Sequence, residues 1–133
     1  PAVSTSTYLT SRHVFKSKSE LQTAVDLWTS DEASAEQKYG LISTWDVSAI
    51  TDMSGLFAGK KDFNDDISAW DVSRVTSTAY MFYHAEAFNQ PLKDWHVSSV
   101  TTMQGMFFQA YAFNQPLNDW VVSRVTTMAY MFF

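Results

Sequence analysis

The chain has 133 residues, no cysteine and a formal net charge of −5. The length suits one domain, and the missing cysteine excludes disulfides, thiolate metal sites and cysteine nucleophiles. The acidic balance argues against a nucleic-acid partner held through its phosphates.

Residues 1–17 predict an extended polar and basic arm. Arg12, His13 and Lys16 lie there with no acid, among many serines and threonines. The same composition suits the tail of an organelle transit peptide. A start at Pro1 and a stop at Phe133 within a repeat suggest a processed product or a piece of something longer.

Residues 18–41 predict a helical N-terminal cap. Ser17 and Glu20 have capping-box spacing, in which each side chain satisfies an unpaired backbone N–H. Leu21, Ala24, Val25 and Trp28 then recur on one helical face. A second short helix is expected after Ser30 or Asp31, with Gly40 as its stop. Such a cap would cover the apolar end of an array, with Leu21, Val25 and Trp28 against it. An independent docking helix is the alternative.

Residues 42–133 are repetitive. Trp45, Trp70, Trp95 and Trp120 stand 25 apart, as do Phe57, Phe82, Phe107 and Phe132, and Asn64, Asn89 and Asn114. A fixed period in this range marks stacked units. The alternation at Trp45–Val47, Trp70–Val72, Trp95–Val97 and Trp120–Val122 predicts short strands. Met103, Met106 and Phe107, after Thr101, have the spacing of a short helix, and Pro116 turns the chain back. The expected fold is therefore an α/β solenoid. It would be a leucine-rich-repeat-like, right-handed coil of about four 25-residue turns, each a short parallel strand plus a short helix, with the last turn incomplete.

In that frame the Trp, Phe and Asn columns are structural core, the asparagines as a buried ladder bonding the backbone of successive turns. Met53, Met103 and Met128 form a core column broken by Thr78, which should leave a small defect or reach a backbone carbonyl. Met81, Met106 and Met131 form another, led by Leu56. A partner can be encoded only where the units differ. Asp46, Asp71 and His96 follow the tryptophans, Arg74 and Arg124 lie just beyond, and these five are the candidate binding residues of a strand face. Tyr80, Tyr83, Phe108, Tyr130 and Phe133, alternating with Gly55 and Gly105, form either a second contact surface or packing between turns.

Catalytic chemistry is not legible. His13, His84 and His96 are scattered at no ligand spacing. Asp62, Asp65 and Asp66 are a weak calcium candidate, lacking a regular calcium-loop spacing. No glycine-rich phosphate loop and no nucleophile-elbow serine occur. No cofactor and no enzyme activity are expected. No apolar run is long enough to span a bilayer.

The string WDVSAITDMSGLF, followed by FNDDISAWDVSRVTSTAYMF, AFNQPLKDWHVSSVTTMQGMF and AFNQPLNDWVVSRV, resembles the BspA-like surface-protein repeat, also described as a mycoplasma lipoprotein-associated domain. The resemblance covers residues 42–133, and the stretch LQTAVDLWTSDEASAEQKYG looks like the helical lead-in of microalgal members. It implies a leucine-rich-repeat-like solenoid on surface or secreted proteins, used for adhesion and protein binding, with no catalytic residues to carry over. The first expectation for function is thus a non-catalytic protein–protein interaction or adhesion module at the cell surface. The second is a structural subunit of a larger multiprotein complex, such as an algal organellar or membrane assembly with peripheral membrane contact. The third is a calcium-dependent adhesin using Asp62, Asp65 and Asp66.

Overall fold

A computed structural model of the protein describes residues 12–132. Residues 1–11, most of the expected arm, and Phe133 lie outside the described residues. Helix α1 spans Lys18–Ser30 and starts where Ser17 Oγ accepts the Glu20 N–H at 3.1 Å. The Glu20 carboxylate does not return to the Ser17 N–H. It takes the Lys16 N–H at 3.2 Å and His13 Nε2 at 3.0 Å, so the helix start also fastens the segment before it. Helix α2 spans Glu32–Tyr39, capped by Asp31, which accepts from the Ser34 N–H at 3.2 Å, and it ends at Gly40 with φ +79°. Leu21, Ala24, Val25 and Trp28 of α1 and Ala35 and Tyr39 of α2 are buried.

The described part of the arm is not a free polar strand. Val14 makes an isolated parallel bridge with Asp46, and Phe15 N–H and His13 C=O bond the Asp46 backbone at 3.0 and 2.9 Å. Phe15 is fully buried, its ring 5.5 Å from Tyr39 and 5.0 Å from Trp45. A single Val-Phe pair in a polar segment carries no periodic signal, which is why the sequence hid it.

The expected α/β solenoid does not form. Among the described residues there are two α-helices, both before the repeats, one 3-10 turn at Ile42–Thr44, and no β-strand. Parallel pairing is reduced to isolated bridges, such as Asp52 to Ser77, Ser77 to Thr102 and Thr102 to Thr127. Neither the strand at each Trp-x-Val nor the helix at each Met-x-x-Met-Phe is present. The chain bends too often for either. Trp70 N–H bonds Ile67 C=O, Val75 bonds Val72 and Met81 bonds Thr78, each closing a four-residue turn.

The stretch expected to be helical is a run of such turns. Turns 53–56, 78–81, 103–106 and 128–131 are each closed by an N–H to C=O bond. Their third residues, Gly55, Tyr80, Gly105 and Tyr130, all have positive φ, at 67°, 57°, 61° and 57°. Turns 57–60, 82–85 and 107–110 place Gly59, His84 and Gln109 in the same conformation. Positive φ at the third position is what a type II turn requires and what a helix forbids. The N–H groups left over point to the next unit. Met53, Gly55, Phe57 and Gly59 donate to Ser77, Ala79, Met81 and Tyr83 at 2.7–3.0 Å, and Thr78, Tyr80, Phe82 and His84 repeat the pattern onto the following unit. Each unit therefore satisfies its backbone partly within itself and partly on its neighbour.

The core is a set of aromatic columns. Phe57, Phe82, Phe107 and Phe132 step by 5.4 Å with planes within 6° of parallel. Phe63, Phe88 and Phe113 form a second column at 5.8 and 6.0 Å, meeting the first at 4.1–4.2 Å. Each such ring pair adds about 0.5–1.5 kcal/mol beyond its buried area. The columns let a thin stack hold together without regular secondary structure.

Candidate functional site

The side chains that repeat are spent inside the stack. The indole N–H groups of Trp70, Trp95 and Trp120 donate to the carbonyls of Ile42, Ile67 and Leu92 at 2.8, 3.0 and 2.9 Å, always 28 residues back. Trp45 bonds Gly40 C=O at 3.0 Å. The asparagine ladder is present but not buried. Asn64 and Asn114 are exposed and Asn89 is half-buried. Asn64 Oδ1 accepts from the Asn89 N–H at 2.8 Å, and Asn89 Oδ1 from the Asn114 N–H at 2.9 Å. Gln90 and Gln115 add amide bonds to the same oxygens. Thr78 is buried, and its hydroxyl faces Thr102 C=O at 3.5 Å. Among the core columns, Met128 and Phe132 are exposed, whereas Met53, Met81, Met103, Met106 and Met131 are buried.

The expected binding row has no strand beneath it, yet most of it reaches the surface. Asp71, Arg74, His96 and Arg124 are exposed and Asp46 is half-buried. The two aspartates are not free. Asp46 Oδ1 accepts from the Ser48 N–H and hydroxyl at 3.0 and 2.6 Å, and Asp71 does the same with Ser73 at 3.0 and 2.6 Å. The serine hydroxyl, then its N–H, hold both carboxyls below their ordinary value. Arg74 and Arg124 remain exposed at one repeat position, and His96 is exposed at the position that carries Asp46 and Asp71 in the first two units.

The three aspartates of the calcium candidate do not converge. Asp65 Oδ2 accepts the Trp28 indole N–H at 2.8 Å and so ties α1 to the first unit. Asp66 Oδ1 accepts the Ser68 N–H at 2.9 Å. A cleft of about 660 Å³ beside them is lined by Asp26, Lys60, Asp62 and Asp65, with Lys60 paired to Asp26 at 2.9 Å. Among the described residues no group of three or more His, Cys, Asp or Glu could hold a metal ion.

The surface that sequence reasoning could not separate from packing is an aromatic edge. Tyr83 and Phe108 stack at 5.4 Å and 13°. Tyr80 stands at 81° to Tyr83, and Tyr130 at 82° to Phe108. Tyr80, Tyr111 and Tyr130 are 40%, 69% and 63% exposed. His84 joins the edge 4.3 Å from Tyr83. The alternation of Gly55 and Gly105 with Tyr80 and Tyr130 was the readable signal. Glycine marks this position as a turn, and Tyr80 and Tyr130 take the same positive φ in the alternate units.

The family described as Mycoplasma protein of unknown function, DUF285, matches residues 29–133. The chain belongs to this family. The DUF285 match begins within α1 and takes in α2, so it reaches further towards the N-terminus than the repeats do. No curated protein and no solved structure matches this DUF285 chain. Among its described residues no helix is long and apolar enough to cross a membrane.

Proposed function

We propose that the chain is a non-catalytic interaction and adhesion module that holds a protein partner through the side chains in which its repeats differ. The observation that supports this is the exposure of Arg74 and Arg124 at one repeat position and of His96 at the Asp46 and Asp71 position, while the repeated Trp and Phe residues are consumed by the stack. A row whose charge changes from Asp46 and Asp71 to Arg124 suits a partner with the opposite pattern, since complementary rows steer and orient association. The resemblance of residues 42–133 to BspA-like surface repeats favours the same reading, with adhesion at a cell surface as its setting. The test is capture of native partners from the source by immobilised chain, compared with an Arg74→Glu, His96→Glu, Arg124→Glu variant. Capture should weaken and lose its salt dependence, chiefly through slower association as for exposed rim charges, with the melting temperature unchanged. Equal capture by both proteins would remove the row from the function.

A further inference from the structure

One turn recurs in all four units, but the side chain that closes on it changes. Ile50, Val75, Val100 and Val125 each donate to the carbonyl three residues back, on Val47, Val72, Val97 and Val122, at 3.0 Å. The second residue of the turn is always serine: Ser48, Ser73, Ser98 and Ser123. In the first two units its N–H and hydroxyl close on a carboxylate two residues back, Asp46 or Asp71, at 3.0 and 2.6 Å. These donors hold both carboxyls below their ordinary value, so the turn favours a charged acceptor.

In the third unit His96 stands where Asp46 and Asp71 stand. The turn is the same, and Ser98 carries the same two donors. Among the described residues no acceptor meets the Ser98 N–H or hydroxyl, and Ser98 and His96 are both exposed. Cations flank this point. Arg74 directly follows the equivalent serine in the unit before, and Arg124 directly follows it in the unit after. Both are exposed, and among the described residues neither is in an ion pair. Their exposure belongs to the position and not to the end of the stack, since Ala49 of the first unit is exposed there too. Two residues beyond, Thr101 N–H donates to Thr76 C=O and Thr126 N–H to Thr101 C=O, both at 2.8 Å. Backbones bonded in this way lie about 4.8 Å apart. An arginine side chain spans that step, so Arg74 and Arg124 both reach the Ser98 turn.

We propose that the Ser98 turn receives a carboxylate from an acidic segment of the protein partner. An aspartate or glutamate of that segment takes, from outside, the place that Asp46 and Asp71 take within the chain. One oxygen accepts from the Ser98 N–H and hydroxyl, and the other is met by Arg74, Arg124 and the His96 ring. Backbone N–H and guanidinium donors together suit a planar carboxylate, and such charge-assisted bonds are the strong ones. Asp46 and Asp71 repel the same segment, which fixes the end of the row on which it lies. The inference rests on the protein contact proposed above and names the chemistry of that partner.

Titration of isotope-labelled chain with poly-L-glutamate, followed by NMR at the serine amides, tests it, with heparin as a second arm. The Ser98 amide should shift and saturate. The Ser48 and Ser73 amides, already bonded to Asp46 and Asp71, should stay in place. Arg74→Gln should weaken the saturation roughly tenfold, the worth of one charge-assisted hydrogen bond. His96→Ala removes only the ring, whereas an asparagine oxygen at this position can take the Ser98 donors itself. His96→Asn should therefore bind poly-L-glutamate more weakly than His96→Ala, although the two carry the same charge. A Ser98 amide that poly-L-glutamate leaves unmoved, or equal binding by the two His96 variants, would overturn the proposal. A Ser98 amide that moves with heparin and not with poly-L-glutamate would assign the turn to a sulfated glycan and overturn it as well. If Ser98 fails while the Arg74→Glu, His96→Glu, Arg124→Glu variant still loses partner capture, the protein contact stands without this site.

Discussion

The Tyr80 ring occupies the space that a side chain at Gly105 would need, with two ring carbons 2.5 Å from the position of an added Cβ. Gly105 also holds φ +61°. Gly105→Ala therefore meets both a clash and a disfavoured backbone, and should cost about 2–4 kcal/mol in urea unfolding. Gly55 has φ +67° but nothing within 4 Å, so Gly55→Ala should cost only about 1–2 kcal/mol. Adding Tyr80→Ala to Gly105→Ala should recover the steric part. A double-mutant cycle showing no coupling between Tyr80 and Gly105 would contradict the packing described.

The helices were legible because their signals are local. Ser17, Asp31 and Gly40 act on neighbours within one turn, and the structure uses all three. The fold class was not legible, for a physical reason. Trp-x-Val and Met-x-x-Met-Phe satisfy the periodicities of strand and helix, yet periodicity reports which side chains are buried, not how the backbone carries them there. A run of tight turns buries Met81 and Phe82 as a helix would. Only backbone conformation separates the two, and its trace in the sequence was the glycine at positions 55, 59 and 105. At the candidate site, the exposure of Arg74, His96 and Arg124 could be read from variation among units. The ties of Asp46 and Asp71 to Ser48 and Ser73 lay in the Asp-Val-Ser spacing, since aspartate bonds the backbone two residues on.

Trp28 and Asp65 should report the attachment of the helical pair to the repeats. Their bond spans 37 residues at 2.8 Å, and Trp28 is 5% exposed. Asp65→Ala would leave a buried indole N–H without its acceptor and should cost about 1–3 kcal/mol. Asp65→Asn keeps an acceptor oxygen and should cost less. Hydrogen exchange at the Trp28 indole should accelerate in Asp65→Ala ahead of Trp95. Equal acceleration at both would mean that the cap and the repeats open as one unit.

Thr78 interrupts a methionine column and gains little in return. Its 3.5 Å approach to Thr102 C=O is longer than a good O–H···O bond. Thr78→Val keeps the shape and removes a poorly satisfied hydroxyl, so it should stabilise the chain by about 0.5 kcal/mol. A loss of 1 kcal/mol or so in thermal or urea unfolding would show that the hydroxyl contributes a full hydrogen bond.

Acid should unfold the repeats through the Asp-x-Ser turns. The Ser48, Ser68 and Ser73 hydroxyls, then their N–H groups, hold Asp46, Asp66 and Asp71 below the ordinary carboxyl value of 3.8. A pKa lowered in the folded state gives stability that is present in full above the unfolded value. That stability is lost as the pH falls through the lowered native values. The urea midpoint should therefore be flat from neutral pH to about 4 and decline below it as far as these groups are concerned. Asp46→Asn with Asp71→Asn should reduce that decline and lower the neutral-pH midpoint by a similar amount, because the amide oxygen still accepts from serine but without the charge that strengthens the bond. An unaltered acid limb in the double variant would assign the decline to other carboxylates.

The asparagine ladder should matter although it is not buried, because its bonds run between units. Asn89 Oδ1 accepts from the Asn114 N–H at 2.9 Å and from Gln115 Nε2 at 2.9 Å. Asn89→Ala removes both acceptor contacts and leaves the Asn114 N–H to water. For a half-exposed site this should cost about 1 kcal/mol, the usual net worth of one hydrogen bond. Asn89→Asp keeps the accepting oxygen and should be close to neutral at pH 7. The Asn114 amide should exchange faster in Asn89→Ala and near the parental rate in Asn89→Asp. If both variants lose equal stability, the side chain's amide group, and not its accepting oxygen, is what the stack requires.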